Sequence, residues 1–138
     1  MANQNQSMYA NSTIACSVIV IPDNSNYNCV KVAGGATVLP TGVSNNGNRT
    51  RPDPDFTLTT QAQQIAAIAG EEVAIWVDGA VGVDLYCNYA WNAGDLIMSD
   101  SNGYGILSTS GNYYVGRAQT AGTVGALCPV DVLPGYNR

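Results

Sequence analysis

The chain contains no histidine, and that absence removes a great deal of chemistry. Without an imidazole there is no Ser–His or Cys–His pair to activate a nucleophile, and no imidazole metal ligand. Charge is also scarce, at 11% of residues against the quarter usual in soluble domains. The only basic residues are Lys31, Arg49, Arg51, Arg117 and Arg138, and the net charge is −5. So acidic a chain offers no patch to neutralise phosphates, so nucleic acid is not an expected partner, and anionic membranes are disfavoured for the same reason. No hydrophobic run approaches a membrane span. The apolar stretch Ile14–Ile21 is short and lacks the basic flank of an export signal, so synthesis in a cytoplasm is expected. A Cys-x-x-Cys spacing is missing too, which argues against structural zinc.

The acidic residues do not make up for these absences. Glu71 and Glu72 are adjacent and would point to opposite faces of a strand. Asp53 and Asp55 read as solvated loop charge. The "DSNG" of Asp100–Gly103 starts like a calcium loop but lacks the later Glu, so it reads as a turn. No metal, cofactor or catalytic residue is expected, and the chain is not expected to be an enzyme. Cys16, Cys29, Cys87 and Cys128 lie in apolar, strand-like text, where reduced core thiols are expected. Cys16 and Cys29 flank a turn and are the pair that would face each other across a hairpin.

What the chain does have is short apolar stretches cut by Gly, Asn and Pro. Its 138 residues suit one domain, and 46% hydrophobic content is enough for a core. Val73, Ile75 and Val77 alternate with Ala74, Trp76 and Asp78, and Val81, Val83, Leu85 and Cys87 share one face of the next stretch. Further strands are expected over Thr13–Ile21, Tyr27–Ala33, Asp95–Ser99, Ile106–Thr109, Tyr113–Gln119 and Thr123–Val132. Thr60–Ala69 reads either as a short helix capped by Gly70 or as an extended segment. The fold class expected is all-β: a small single-domain β-sandwich or β-barrel with at most one short helix. Residues 1–12, rich in Gln and Asn, read as a flexible arm before a β domain over 13–138. Ser44–Phe56, rich in Asn, Gly and Pro, reads as a long exposed loop.

Two stretches echo each other. Gly42-Val43 leads, after an insertion, to Ala69-Gly70 and an alternating strand. Gly116-Arg117-Ala118 leads to Ala121-Gly122 and another. Glycine lets one strand pass close to a neighbouring backbone, and Ala-Gly turns the chain without crowding. "AGEEVAIWVDG", "AGDLIMSDSNGYG" and "YVGRAQTAGTVGALCPVDVLPG", in that order, resemble the capsid cement, or decoration, proteins of tailed bacteriophages. The resemblance covers roughly Leu39 to Gly135. It departs from the family in the long insertion after Ser44 and in Thr123, where the family usually has Glu. Met1–Ala33 has no counterpart in it.

The resemblance implies a structural virion protein on the outer capsid surface, a homotrimer that bridges copies of the major capsid protein. Subunit or capsid contacts are then expected at Met8 and Tyr9 in the arm, Arg49 and Arg51 in the loop, Trp91 beside a turn, and Arg117, which would pair with Asp95 or Asp131. Removing Met1–Asn11 is expected to weaken capsid binding and spare the fold. A carbohydrate-binding β-domain of a virion or cell surface is the alternative, carried by Tyr86, Tyr89, Trp91, Tyr104, Tyr113 and Tyr114.

Overall fold

The structure, a computed structural model, describes residues 5–23, 26–44 and 65–138. Among these every regular element is a strand, as the alternating text requires. The strands are β1 (Asn5–Ala10), β2 (Ile14–Ala15), β3 (Ile19–Asp23), β4 (Asn26–Val32), β5 (Gly42–Ser44) and β6 (Ile65–Ala67). They continue with β7 (Glu72–Trp76), β8 (Val83–Tyr86), β9 (Leu96–Ser99), β10 (Gly105–Leu107), β11 (Tyr113–Ala118) and β12 (Leu127–Tyr136). The first set closes into a barrel in the order β1-β4-β3-β5-β7. The second forms a sheet in the order β10-β9-β11-β12-β8.

These two orders are the same order. β1 corresponds to β8, β3 to β9, β4 to β10, β5 to β11 and β7 to β12, and the correspondence holds residue by residue. Tyr9 opposes Glu72 as Tyr86 opposes Leu127. Val20 opposes Gly42 as Ile97 opposes Gly116. The Ile14–Ala67 pair of β2 and β6 returns as the bridge between Trp91 and Gly122. The parallel pairing of Ala10 with Val30 returns as the bridge between Cys87 and Gly105. The turns match as well. Gly70, at φ +90°, donates its N–H to Ala10 at 2.7 Å, and Gly125, at φ +87°, donates to Cys87 at 2.8 Å. The molecule is a duplicated five-strand unit.

The glycine steps of the echo are confirmed as equivalents. A Cβ on Gly42 would strike the carbonyl oxygen of Trp76, and one on Gly116 that of Asp131. The turn assignment is corrected: Ala69-Gly70 matches Val124-Gly125, not Ala121-Gly122. Gly122 has another task, since a Cβ there would lie 2.5 Å from the Trp91 indole.

One sequence expectation is corrected, and one open alternative is decided in part. Asn5–Ala10 is a ladder strand rather than an arm: β1 pairs with β7 on one side and β4 on the other. Its polar outward residues hide Met8 and Ala10, which alternate toward the barrel core. Removing Met1–Asn11 would therefore delete a barrel strand. Of the two readings of Thr60–Ala69, short helix or extended segment, Ile65–Ala67 takes the extended one, because it pairs with β2. Residues 45–56 of the expected loop and 60–64 of that stretch fall outside the described residues.

Two cores result. Ile14, Val18, Val20, Val30, Val73 and Ile75 fill the first barrel. Leu85, Cys87, Trp91, Ile97 and Val130 fill the second unit, joined there by Ile19, Ile21, Ala33 and Val43 from the outer side of the first. The second unit lacks the two-residue parallel pairing that closes the first. At that seam the first unit is inserted: Tyr86 donates its N–H to Ser17 at 2.9 Å, and Ile19 donates to Gly103 at 2.7 Å.

Candidate interaction surface

The expected contact residues separate sharply. Trp91 is only 3% exposed, so it is no surface anchor. It packs against Gly105 and Gly122 in the second core, and its indole N–H has no partner. A turn of small residues next to a tryptophan reads as an exposed tip, but the pairing with Gly122 is long-range and invisible locally. Met8 packs against the first core. Tyr9 is half exposed on β1, and Arg117 is exposed on β11. Arg49 and Arg51 lie outside the described residues.

Arg117 stands opposite Asp131 in the β11–β12 ladder, yet its guanidinium donates instead to the Gly94 carbonyl at 2.8 Å. The Asp131 carboxylate accepts from the Gly82 N–H at 3.1 Å and the Gln119 amide at 2.8 Å. The Asp95 carboxylate caps its own turn through the Asn92 N–H at 2.9 Å. Both carboxylates named as partners for Arg117 are thus engaged within the unit.

The tyrosines pair with each other. Tyr86 and Tyr104 have ring centroids 4.5 Å apart, and Tyr113 and Tyr136 meet edge to face at 5.0 Å. Burial, then Tyr86 and then the Asp100 carboxylate, push the Tyr104 phenol above its ordinary pKa. Burial is also the main reason the Cys87 thiol is raised. All four cysteines are buried free thiols, and no group of His, Cys, Asp or Glu among the described residues is arranged to hold a metal. A raised thiol such as Cys87, in an apolar core, is a poor nucleophile.

What the surface does offer is an apolar face on the second unit. The alternation that buries Ile97 turns Leu96 and Met98 outward on β9, and Ile106 stands beside them on β10. Tyr89, Met98, Ile106, Leu107, Ser108 and Thr109 line a shallow groove here. Tyr89 is 57% exposed, a large aromatic with its ring in solvent. Sequence reading missed this face because a strand of Leu, Ile, Met and Ser gives no sign of which side is covered.

Fold and surface together define a small duplicated β-barrel protein with a shallow, partly apolar groove on its second unit. No family model matches the chain, and no curated protein does. Among solved structures it is similar to the N base of the head fiber gp8.5 of bacteriophage phi29. The TM-score is 0.58 at 11% identity, over 93% of this chain and 92% of that one. At that identity the likeness establishes a shared fold.

Proposed function

We propose that this chain is a structural protein of a bacteriophage virion, seated on the outer capsid surface and stabilising the shell by bridging major capsid proteins. One observation carries the reading: the fold matches a phage head fiber base over nearly the whole of both chains, so the likeness is to an entire unit rather than to a common motif. The surface agrees with it. With 11% charged residues and a polarity supplied by Asn, Ser, Thr and Gln, it is weakly hydrated and cheap to cover. Stabilisation by such a protein is geometric. Several contacts per assembly make each later contact intramolecular, which raises avidity by roughly 10²–10⁴.

The test is co-sedimentation of the purified chain with phage heads that lack it. Saturable binding at a fixed copy number per head, with heads that then resist heat or chelator better, is the expected result. A chain that stays in the supernatant at every head concentration overturns the reading.

A further inference from the structure

Where the first unit enters the seam of the second, a cavity of about 220 Å³ is left between them. Ser17, Ser44 and Trp76 of the first unit line one side, and Val81 and Asp84 of the second line the other. Packing does not account for Ser17. Its backbone is engaged, the carbonyl accepting from Tyr86 at 2.9 Å and the N–H donating to Ser44 at 3.1 Å. Its side chain is not. The residue is 1% exposed, yet its hydroxyl makes no hydrogen bond among the described residues. The neighbouring Ser44 hydroxyl, by contrast, is committed to Val18 and Ala15. Ser17 is also the one non-glycine among the described residues at positive φ, where the second unit has Gly94. A strained backbone that holds an unpaired hydroxyl against a cavity calls for a function.

The opposite wall adds a second unpaired group. Cys87 donates its N–H to Ala126 of the neighbouring chain segment, and the strand alternates, so Asp84 and Tyr86 turn their N–H groups away from β12. The Tyr86 N–H is taken by Ser17. That of Asp84 has no backbone partner among the described residues, and its carboxylate stands exposed at the cavity.

We propose that this cavity binds one ring of a neutral sugar. Its volume is below the roughly 300–1,000 Å³ of drug-sized sites, which suits a single ring. No cation lines it and Asp84 is acidic, so phosphates, uronates and sialic acid are disfavoured. Among the described residues no group of carboxylates or thiols is arranged to hold a metal. An apolar ligand would leave the Ser17 hydroxyl and the Asp84 amide buried and unpaired. A peptide strand has no run along β8, because Ser17 already occupies the next position at Tyr86. A pyranose satisfies every group. Its hydroxyls donate to the Asp84 carboxylate and accept from Ser17 and the Asp84 N–H, while its C–H surface meets Trp76 and Val81. None of the tyrosines of the second half lines the cavity.

The experiment is an amide NMR titration of the isotopically labelled whole chain. The probes are D-glucose, D-galactose and N-acetyl-D-glucosamine, with D-glucuronic acid and N-acetylneuraminic acid as charged counterparts. The expected result is saturable shifts at the Ser17 and Asp84 amides with at least one neutral sugar, and none with the acids. Asp84→Asn and Ser17→Gly should each weaken binding by about tenfold, the scale of one lost hydrogen bond to a charged or buried group. Ser17→Gly should melt no lower than the parent, which separates lost binding from lost folding. Tyr89→Ser, in the separate groove of the second unit, should bind as the parent does.

No saturable shift with any of the three neutral sugars overturns the proposal. So does parental affinity in either cavity variant, or acids that bind as tightly as the neutral sugars. Loss of binding in Tyr89→Ser overturns it too, by moving the sugar to the other groove. The titration uses the isolated chain, so its result is independent of whether the chain sediments with phage heads.

Discussion

The first unit closes on itself and the second does not, although both follow one strand order. The difference lies in a few residues. β4 is seven residues long and reaches back to β1, whereas β10 is three and begins only after the turn Asp100–Gly103. The Asp100 carboxylate holds that turn, accepting from the N–H groups of Asn102 at 2.8 Å and Tyr104 at 3.0 Å. The seam left open is filled by the first unit. Closure and docking are thus alternative uses of one edge, and a shorter hairpin converts the first into the second.

Other paired positions show equivalent sites solved with different residues. Ile14 with Ala67 and Trp91 with Gly122 fill one place, large against small in each case. Gly94, at φ +88°, holds the turn where the first unit has Ser17 at φ +57°. In the second unit that turn closes directly, with the Asp95 N–H on the Asn92 carbonyl at 3.2 Å. In the first, the Ser44 hydroxyl stands between the two groups. It accepts from the Val18 N–H at 3.0 Å and donates to the Ala15 carbonyl at 2.7 Å. The second unit has Ala118 at the corresponding place, and needs no hydroxyl.

The largest effect expected is from deleting residues 1–11. Removing β1 opens the first barrel, and the chain should lose its cooperative melting transition and its β-sheet circular dichroism. A truncated chain that melts like the parent would show that β1 is dispensable. Gly122→Ala comes next, because the methyl group meets the Trp91 indole, and overpacking costs about 1–3 kcal/mol or more. Adding Trp91→Ile, which transplants the Ile–Ala pair of the first unit, should recover part of that loss in a double-mutant cycle. Additive losses would mean that the two sites are not interchangeable.

Ser44→Ala should cost about 1–3 kcal/mol in urea unfolding, since it strands a buried donor and a part-buried acceptor. Ser17→Gly should stabilise by about 1 kcal/mol, because serine in the left-handed region is strained there while its counterpart is glycine. A loss of stability instead would mean that the Ser17 side chain does something its conformation hides. The smallest effect is on the alkaline side. Tyr104 holds its proton above the ordinary phenol pKa of about 10, so the unfolded chain ionises first as pH rises. Its contribution is intact below that value and fades as pH climbs through the folded pKa. Tyr104→Phe should flatten the alkaline decline in melting temperature.

Much of this fold was legible in the residues. The alternation in Val73–Val77 and Val83–Cys87 gave strands with the correct buried faces, whereas Val81, expected on the same buried face, is 64% exposed ahead of β8; the glycine steps at Gly42 and Gly116 marked real close crossings. The turn equivalence was missed by three residues because two Ala-Gly pairs look alike locally, and only contact with Trp91 tells Gly122 apart. β1 was hidden because a ladder strand bonds through its backbone, so polar outward side chains say nothing against it. The contact residues were the least legible part. Exposure depends on what lies across from a strand, and Trp91 and Met8 have their neighbours far away in sequence.

The plugged seam has a consequence for biogenesis. The segment around Ser17–Ile19 leaves the ribosome long before Tyr86 and Gly103 exist, and domains generally fold as units from the N-terminal end during synthesis. The earlier half thus offers a finished edge on which the later half is templated. A lesion in the early half should therefore spoil both halves, whereas one in the late half should leave the early barrel standing.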